Sequence, residues 1–153
     1  MSYKTFRSTK RIPADDAQGL ELSGELVLSH EARHIRRKLL HFENGDMIML
    51  DLKEPVQLAE GDVLEAETGE YFVIHAASEP LYAVQAKTPL HLLELAWHLG
   101  NRHQPVEIEE RRILLLRDPV IRTMLEGLDA TVEEIEAPFQ PLHGAYHDHG
   151  HHH

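Results

Sequence analysis

Thr88-Pro89-Leu90-His91-Leu92-Leu93-Glu94-Leu95-Ala96-Trp97-His98-Leu99-Gly100-Asn101-Arg102-His103 is the stretch on which the fold turns. Thr88 can cap a helix by accepting a backbone N–H, and Pro89 suits the first helical position. Leu92, Leu93, Ala96, Trp97 and Leu99 then form an apolar stripe, which Gly100-Asn101 ends. Upstream, Leu81 to Ala86 reads as a strand. Downstream, Val106 to Glu109 and Arg112 to Leu116 read as two more. Asp118-Pro119 opens a second helix by the same logic, with Ile121, Met124, Leu125 and Leu128 as its core face. Thr131 to Glu136 closes the series as a strand. The order is β-α-β-β-α-β, the ferredoxin-like unit.

The residues before this unit read as strands alone. Glu25 to Ser29 alternates in character. Arg37 to Phe42 and Met47 to Leu52 flank Glu43-Asn44-Gly45-Asp46, and Asn-Gly is a strong hairpin signal. Asp62 to Ala66 pairs with Tyr71 to Ile74 across a turn near Thr68-Gly69. Short strands at this spacing predict a small antiparallel sandwich or barrel. After Pro138-Phe139-Gln140-Pro141 the periodicity stops. Residues 142–153, LHGAYHDHGHHH, lack the apolar content for a core and are expected to be disordered. The predicted class is therefore α+β: an all-β domain over 1–77, a ferredoxin-like domain over 78–139, and a flexible His-rich tail over 140–153.

Composition narrows the function. The formal net charge is −11, which disfavours phosphate backbones, so no nucleic-acid partner is expected. No apolar run reaches the roughly 20 residues of a membrane span. The N-terminal stretch MSYKTFRSTKR has no apolar signal segment, so a cytoplasmic location is expected. There is no cysteine, which removes thiolate metal sites and cysteine nucleophiles. Histidine is the abnormal residue: there are 13, and six lie in the last 11 positions. Neutral imidazole is a favoured ligand of borderline transition metals, so metal binding is the leading expectation.

His98-Leu99-Gly100-Asn101-Arg102-His103-Gln104-Pro105 resembles the signature of the urease nickel metallochaperones, the UreE family. The layout around it is similar too: a β domain, a ferredoxin-like domain, then Gly144-Ala145-Tyr146 leading into a His-rich tail. The resemblance implies a homodimer in which His103 of each subunit meets its mate around Ni(II), because an isologous interface brings the same residue face to face. It implies delivery of nickel to the urease active site, with the urease accessory GTPase and assembly complex as partners. The N-terminal domain would be the docking platform. One departure is that Arg112 to Pro119, where some members carry further ligand histidines, has none here. Extra ligands must then come from His143, His147, His149, His151, His152 and His153, a flexible capture arm. Such ligands would also take Zn(II) or Cu(II) in vitro.

Other readings stand beside this one. The chain can be a metal buffer without a client, and the terminal histidines can be wholly or partly a purification tag. His103 can be a helix-end histidine favoured by the dipole there. His91, Glu94 and His98 share one polar helix face, either as a second metal patch or as a hydrogen-bonded structural ring. His30-Glu31-Ala32-Arg33-His34 matches H-E-x-x-H literally, but it lies between two strands and reads as a turn rather than a zinc-hydrolase helix. No P-loop and no G-x-S-x-G elbow is present, so no catalytic residue is assigned and no enzyme activity is expected.

Overall fold

The computed structural model describes residues 2–142. Backbone contacts divide the chain between Ala76 and Ala77, and each unit has its own core. Two sheets and two helices make a mixed α+β protein in which strands predominate among the described residues.

The first unit comprises β1 (Thr5–Ile12), a 3-10 turn (Ala14–Asp16), β2 (Leu22–Leu28), β3 (His34–His41), β4 (Met47–Gln57), β5 (Val63–Ala66) and β6 (Tyr71–Ala76). Both predicted hairpins form: β3 pairs antiparallel with β4, and β5 with β6. The sheet as a whole is not antiparallel, which corrects the expectation. Its order is β2-β6-β5-β1-β4-β3, and β1 runs parallel to β4 and β2 parallel to β6. Turn chemistry specifies neighbours in sequence, whereas these two pairings join strands far apart in the chain.

One core gathers residues from all six strands, including Leu26 from β2 and Leu40 from β3. These are the two ends of the strand order. A flat six-stranded sheet would hold its ends roughly 24 Å apart at about 4.8 Å per step, so the sheet must curl around its core. Phe72 is central there, with ring centroids 4.9 Å from Phe6 and 4.8 Å from Phe42. The β3–β4 turn needs Gly45 twice over. Its φ is +97°, and a Cβ there would lie 2.3 Å from the Tyr3 ring. Asp62 is almost fully buried, and its carboxylate accepts from Ala14 N–H (3.0 Å), Ala59 N–H (2.8 Å) and Arg11 (3.1 Å). It ties the 3-10 turn to the β4–β5 connection.

The second unit comprises β7 (Ser78–Gln85), α1 (Pro89–Asn101), β8 (Glu107–Ile108), β9 (Arg112–Leu116), α2 (Pro119–Gly127) and β10 (Thr131–Pro138). All its pairings are antiparallel, in the order β10-β7-β9-β8. Both helices lie on one sheet face: Leu95 and Leu99 of α1, and Ile121 and Leu125 of α2, share a cluster with Tyr82, Val84, Ile113, Leu115 and Val132. On the opposite face Leu81, Ala83 and Leu114 pack with Phe139. No helix among the described residues is long and apolar enough to cross a membrane.

His75, at the end of β6, lies between two carboxylates, with Nδ1 2.7 Å from Glu60 and Nε2 3.1 Å from Glu25. Burial pushes the Glu60 carboxyl up. The Ala76 N–H at 2.8 Å, the hydrogen bond and charge of His75, and the charge of Arg33 outweigh burial and hold it below its ordinary value of 4.5. A depressed folded-state value adds stability above the ordinary carboxylate range, and that stability is lost as pH falls through the folded value. Glu60→Gln is therefore expected to lower the urea midpoint at pH 7, with the gap to wild type closing as the pH is taken below 4.5. A gap that does not change with pH would show that the charge contributes nothing.

Candidate metal centre

The centre is built from α1 and its two ends. At the start, the Thr88 hydroxyl accepts from His91 N–H at 3.0 Å and Pro89 occupies the first turn, as predicted. Inside, the buried stripe differs from expectation. Leu95 and Leu99 are buried, with Leu92 and Ala96 partly buried beside them. Leu93 and Trp97, both in the expected apolar stripe, are 68% and 64% exposed, and Leu90 is 65% exposed. The spacing 92, 95, 96, 99 already describes one complete core face. The residues at 90, 93 and 97 follow the same helical period on another face, so the helix is apolar on two sides.

The helix ends at Asn101, as expected. The residue that reverses the chain is His103 itself, with φ +57°. Its N–H donates to Gly100 O at 2.9 Å, and Gln104 N–H donates to Leu99 O at 3.0 Å. This pair of bonds is the Schellman closure, with His103 in the left-handed position that glycine usually fills. α2 ends in the same way, with Asp129 at φ +67° and Ala130 N–H bonded to Leu125 O. The closure satisfies two end carbonyls and leaves the His103 side chain exposed past the negative end of the helix dipole, where a cation is favoured.

His91 is used differently. Its Nδ1 accepts from Lys87 N–H at 3.0 Å, so Nε2 carries the proton that it donates to Leu128 O at 2.7 Å. Both ring nitrogens are occupied in holding the start of α1 to the end of α2. That is the structural alternative for this face, and it takes His91 out of a metal patch. His98 is half-buried and packs edge-on against Trp97, ring centroids 5.1 Å apart. A shallow recess of about 290 Å³ separates His91, Glu94, Trp97 and His98.

Among the described residues, no group of three or more His, Asp and Glu is placed to hold a metal ion. His103 offers one exposed imidazole, and no second candidate ligand stands with it among the described residues. The other six candidates, His143, His147, His149, His151, His152 and His153, lie outside the described residues. The H-E-x-x-H match forms a single turn: Arg33 N–H bonds Ser29 O at 2.9 Å, His34 N–H bonds Glu31 O at 3.2 Å, and His34 already begins β3. His30 and His34 therefore do not share a helix face, and Arg33 between them is fully buried.

Comparison with known proteins agrees with this architecture. Residues 9–77 match the model of the UreE urease accessory protein N-terminal domain, and residues 79–153 match that of the C-terminal domain. The chain belongs to the UreE family. A urease accessory protein UreE of Rhizobium meliloti (strain 1021) is 60% identical over 146 residues, covering 95% of this chain and 94% of the relative. One of Agrobacterium fabrum is 60% identical over 147 residues, covering 96% and 91%. One of Brucella anthropi is 47% identical over 141 residues, covering 92% and 83%.

In this protein the two histidines at either end of α1 should respond to mutation in opposite ways. His91→Ala strands the Lys87 N–H and the Leu128 carbonyl, and is expected to cost about 1–2 kcal/mol in urea unfolding. His103→Gly relieves the left-handed backbone and is expected to leave the metal-free protein unchanged or more stable by about 0.5–1 kcal/mol. A destabilised His103→Gly protein would mean that the side chain serves the fold.

Proposed function

We propose that this protein is a homodimeric nickel carrier of urease maturation. Two copies meet through the exposed Leu90, Leu93 and Trp97 face of α1, which brings the two His103 rings to one Ni(II). The tail histidines from His143 to His153 capture the ion and complete its coordination. The cargo then passes, through the urease accessory GTPase and the assembly complex, to the urease active site in the cytoplasm. Within each copy the ferredoxin-like domain carries the metal, and residues 1–77 serve docking.

The observation that carries this reading is His103 in a left-handed cap, exposed, at the end of a helix with a second apolar face. A non-glycine residue in this strained position motivates a functional reading, and at His103 the exposed imidazole gives it a chemistry. Gly100 adds to it. It is exposed inside the helix, and among the described residues a Cβ there would meet nothing within 4 Å, so packing against them does not require glycine. A small residue in line with Leu93 and Trp97 lets a second helix approach closely. Membership of the UreE family supports nickel as the ion.

Imidazole binds metal only when neutral, so nickel affinity should fall as pH drops through the ordinary histidine range near about 6.5. Calorimetric titration of a chain ending at Leu142 is expected to show one nickel per dimer, lost in His103→Ala. If truncation removes all binding, the tail is the sole ligand source and a non-specific metal buffer is the better reading. Trp97 is the only tryptophan, so its emission reports the interface. Trp97→Ala is expected to yield monomer in sedimentation and to weaken nickel binding about tenfold or more, although Trp97 is no ligand. Unchanged nickel affinity in a monomeric Trp97→Ala protein would refute the shared site.

A further inference from the structure

β10 and β8 are the two outer strands of the second sheet, so three strand spacings, about 14 Å, lie between them. The chain crosses that width within four residues. It leaves β10 at Pro138, which is still paired with Ser78. Phe139 then passes along the sheet face away from the helices, completely buried with Leu81 and Ala83 of β7 and Leu114 of β9. Gln140 N–H donates to the Glu107 carboxylate of β8 at 2.8 Å, and Glu107 stands opposite Leu114 in register. Leu142 N–H donates to Val106 O at 2.8 Å. Four residues reach about 14 Å at most, so the segment runs extended. Its composition suits this: Pro138 and Pro141 fix their own φ and hold the residue before each of them extended.

Burial accounts for Phe139 but not for the bond at Leu142, whose side chain is 63% exposed. What that bond fixes is where the chain goes next. Val106 lies three residues after His103, at most about 11 Å away along the chain. Residues 143–153 therefore begin beside the loop that carries His103, and not at the far edge of the sheet where β10 ends. Tied at Leu142, the chain reaches His143 in one residue and His147 in five. Tied only at Phe139, it would need four and eight. The local concentration of a tethered group falls roughly as the −3/2 power of tether length, so the slack matters most for the first histidines.

We propose that residues 139–142 are a strap that delivers the tail histidines to His103, with Glu107 as its positioning residue. Phe139 anchors the strap, and Glu107 and the Val106 carbonyl pin its free end. Glu107 acts through the strap and not as a ligand. This deepens the capture step of the function proposed above, and rests on it.

The test uses the full 153-residue chain and Ni(II), with affinity read by competition against a metallochromic dye. Glu107→Ala with Leu142→Pro removes one acceptor and one N–H, and should weaken nickel binding about threefold. Glu107→Gln with Leu142→Ala loses the same charge and the same side chain but keeps both hydrogen-bonding groups, and should restore the wild-type affinity. In a full-length chain whose six tail histidines are all alanine, the first pair of substitutions should change nothing. Amide exchange gives a second readout on the metal-free wild type: the Gln140 and Leu142 N–H groups should be protected. Wild-type affinity in the first variant, an equal loss in both variants, a loss that persists without tail histidines, or unprotected amides would each overturn the strap. If the six-alanine chain binds nickel as tightly as wild type, the capture arm itself fails and the strap falls with it. If the tail counts but the first variant binds normally, the strap alone is removed.

Discussion

Leu95 and Leu99 of α1 are almost completely excluded from water beneath the helix layer, and that burial decides where everything else on the helix can point. Two leucine side chains removed from water contribute on the order of 3–6 kcal/mol, more than any single polar contact in this domain. With that side turned to the sheet, Leu90, Leu93 and Trp97 must face outward and the chain must leave the helix at His103. The ring hydrogen bonds of His91 prevent rotation at one end, and the Schellman closure stops the helix at the other. A side chain placed by such a closure projects from rigid backbone.

The proposed carrier role accounts for a single exposed imidazole at this position. One exposed imidazole holds a divalent ion weakly, because it offers one donor and the ion prefers four to six. Adding donors from a second copy or a mobile segment raises affinity through effective concentration while each bond stays individually weak. An ion held in this way can be handed on. A closed cage of buried ligands would hold it more tightly and release it slowly. The helix dipole and the net charge of −11 favour the approach of a cation without fixing its identity.

The two units are built on different plans. The second stacks both helices on one sheet face and ends its first helix at the exposed His103. The first curls a single sheet until its edge strands share a core but, among the described residues, do not pair with each other. The Phe6, Phe42 and Phe72 rings pack together in that core.

Sequence alone determined the local elements whose signals are local. Thr88-Pro89 and Asp118-Pro119 open helices because their caps need only the following turn, and Asn44-Gly45 reverses the chain because Gly45 tolerates positive φ. The motif ending at His103 likewise marked the residue that the structure leaves exposed at a helix end. Tertiary structure decided what depends on distant partners. β1 escaped notice because Phe6 and Ser8 are its only fully buried residues, and its strand state comes from pairing with β4 and β5. The parallel pairing of β2 with β6 had no turn to announce it. Leu93 and Trp97 looked like core because hydrophobicity does not say which of two apolar helix faces meets the sheet. Only packing against Ile113 and Leu115 chose Leu95 and Leu99, since one helix can bury just one side against one sheet.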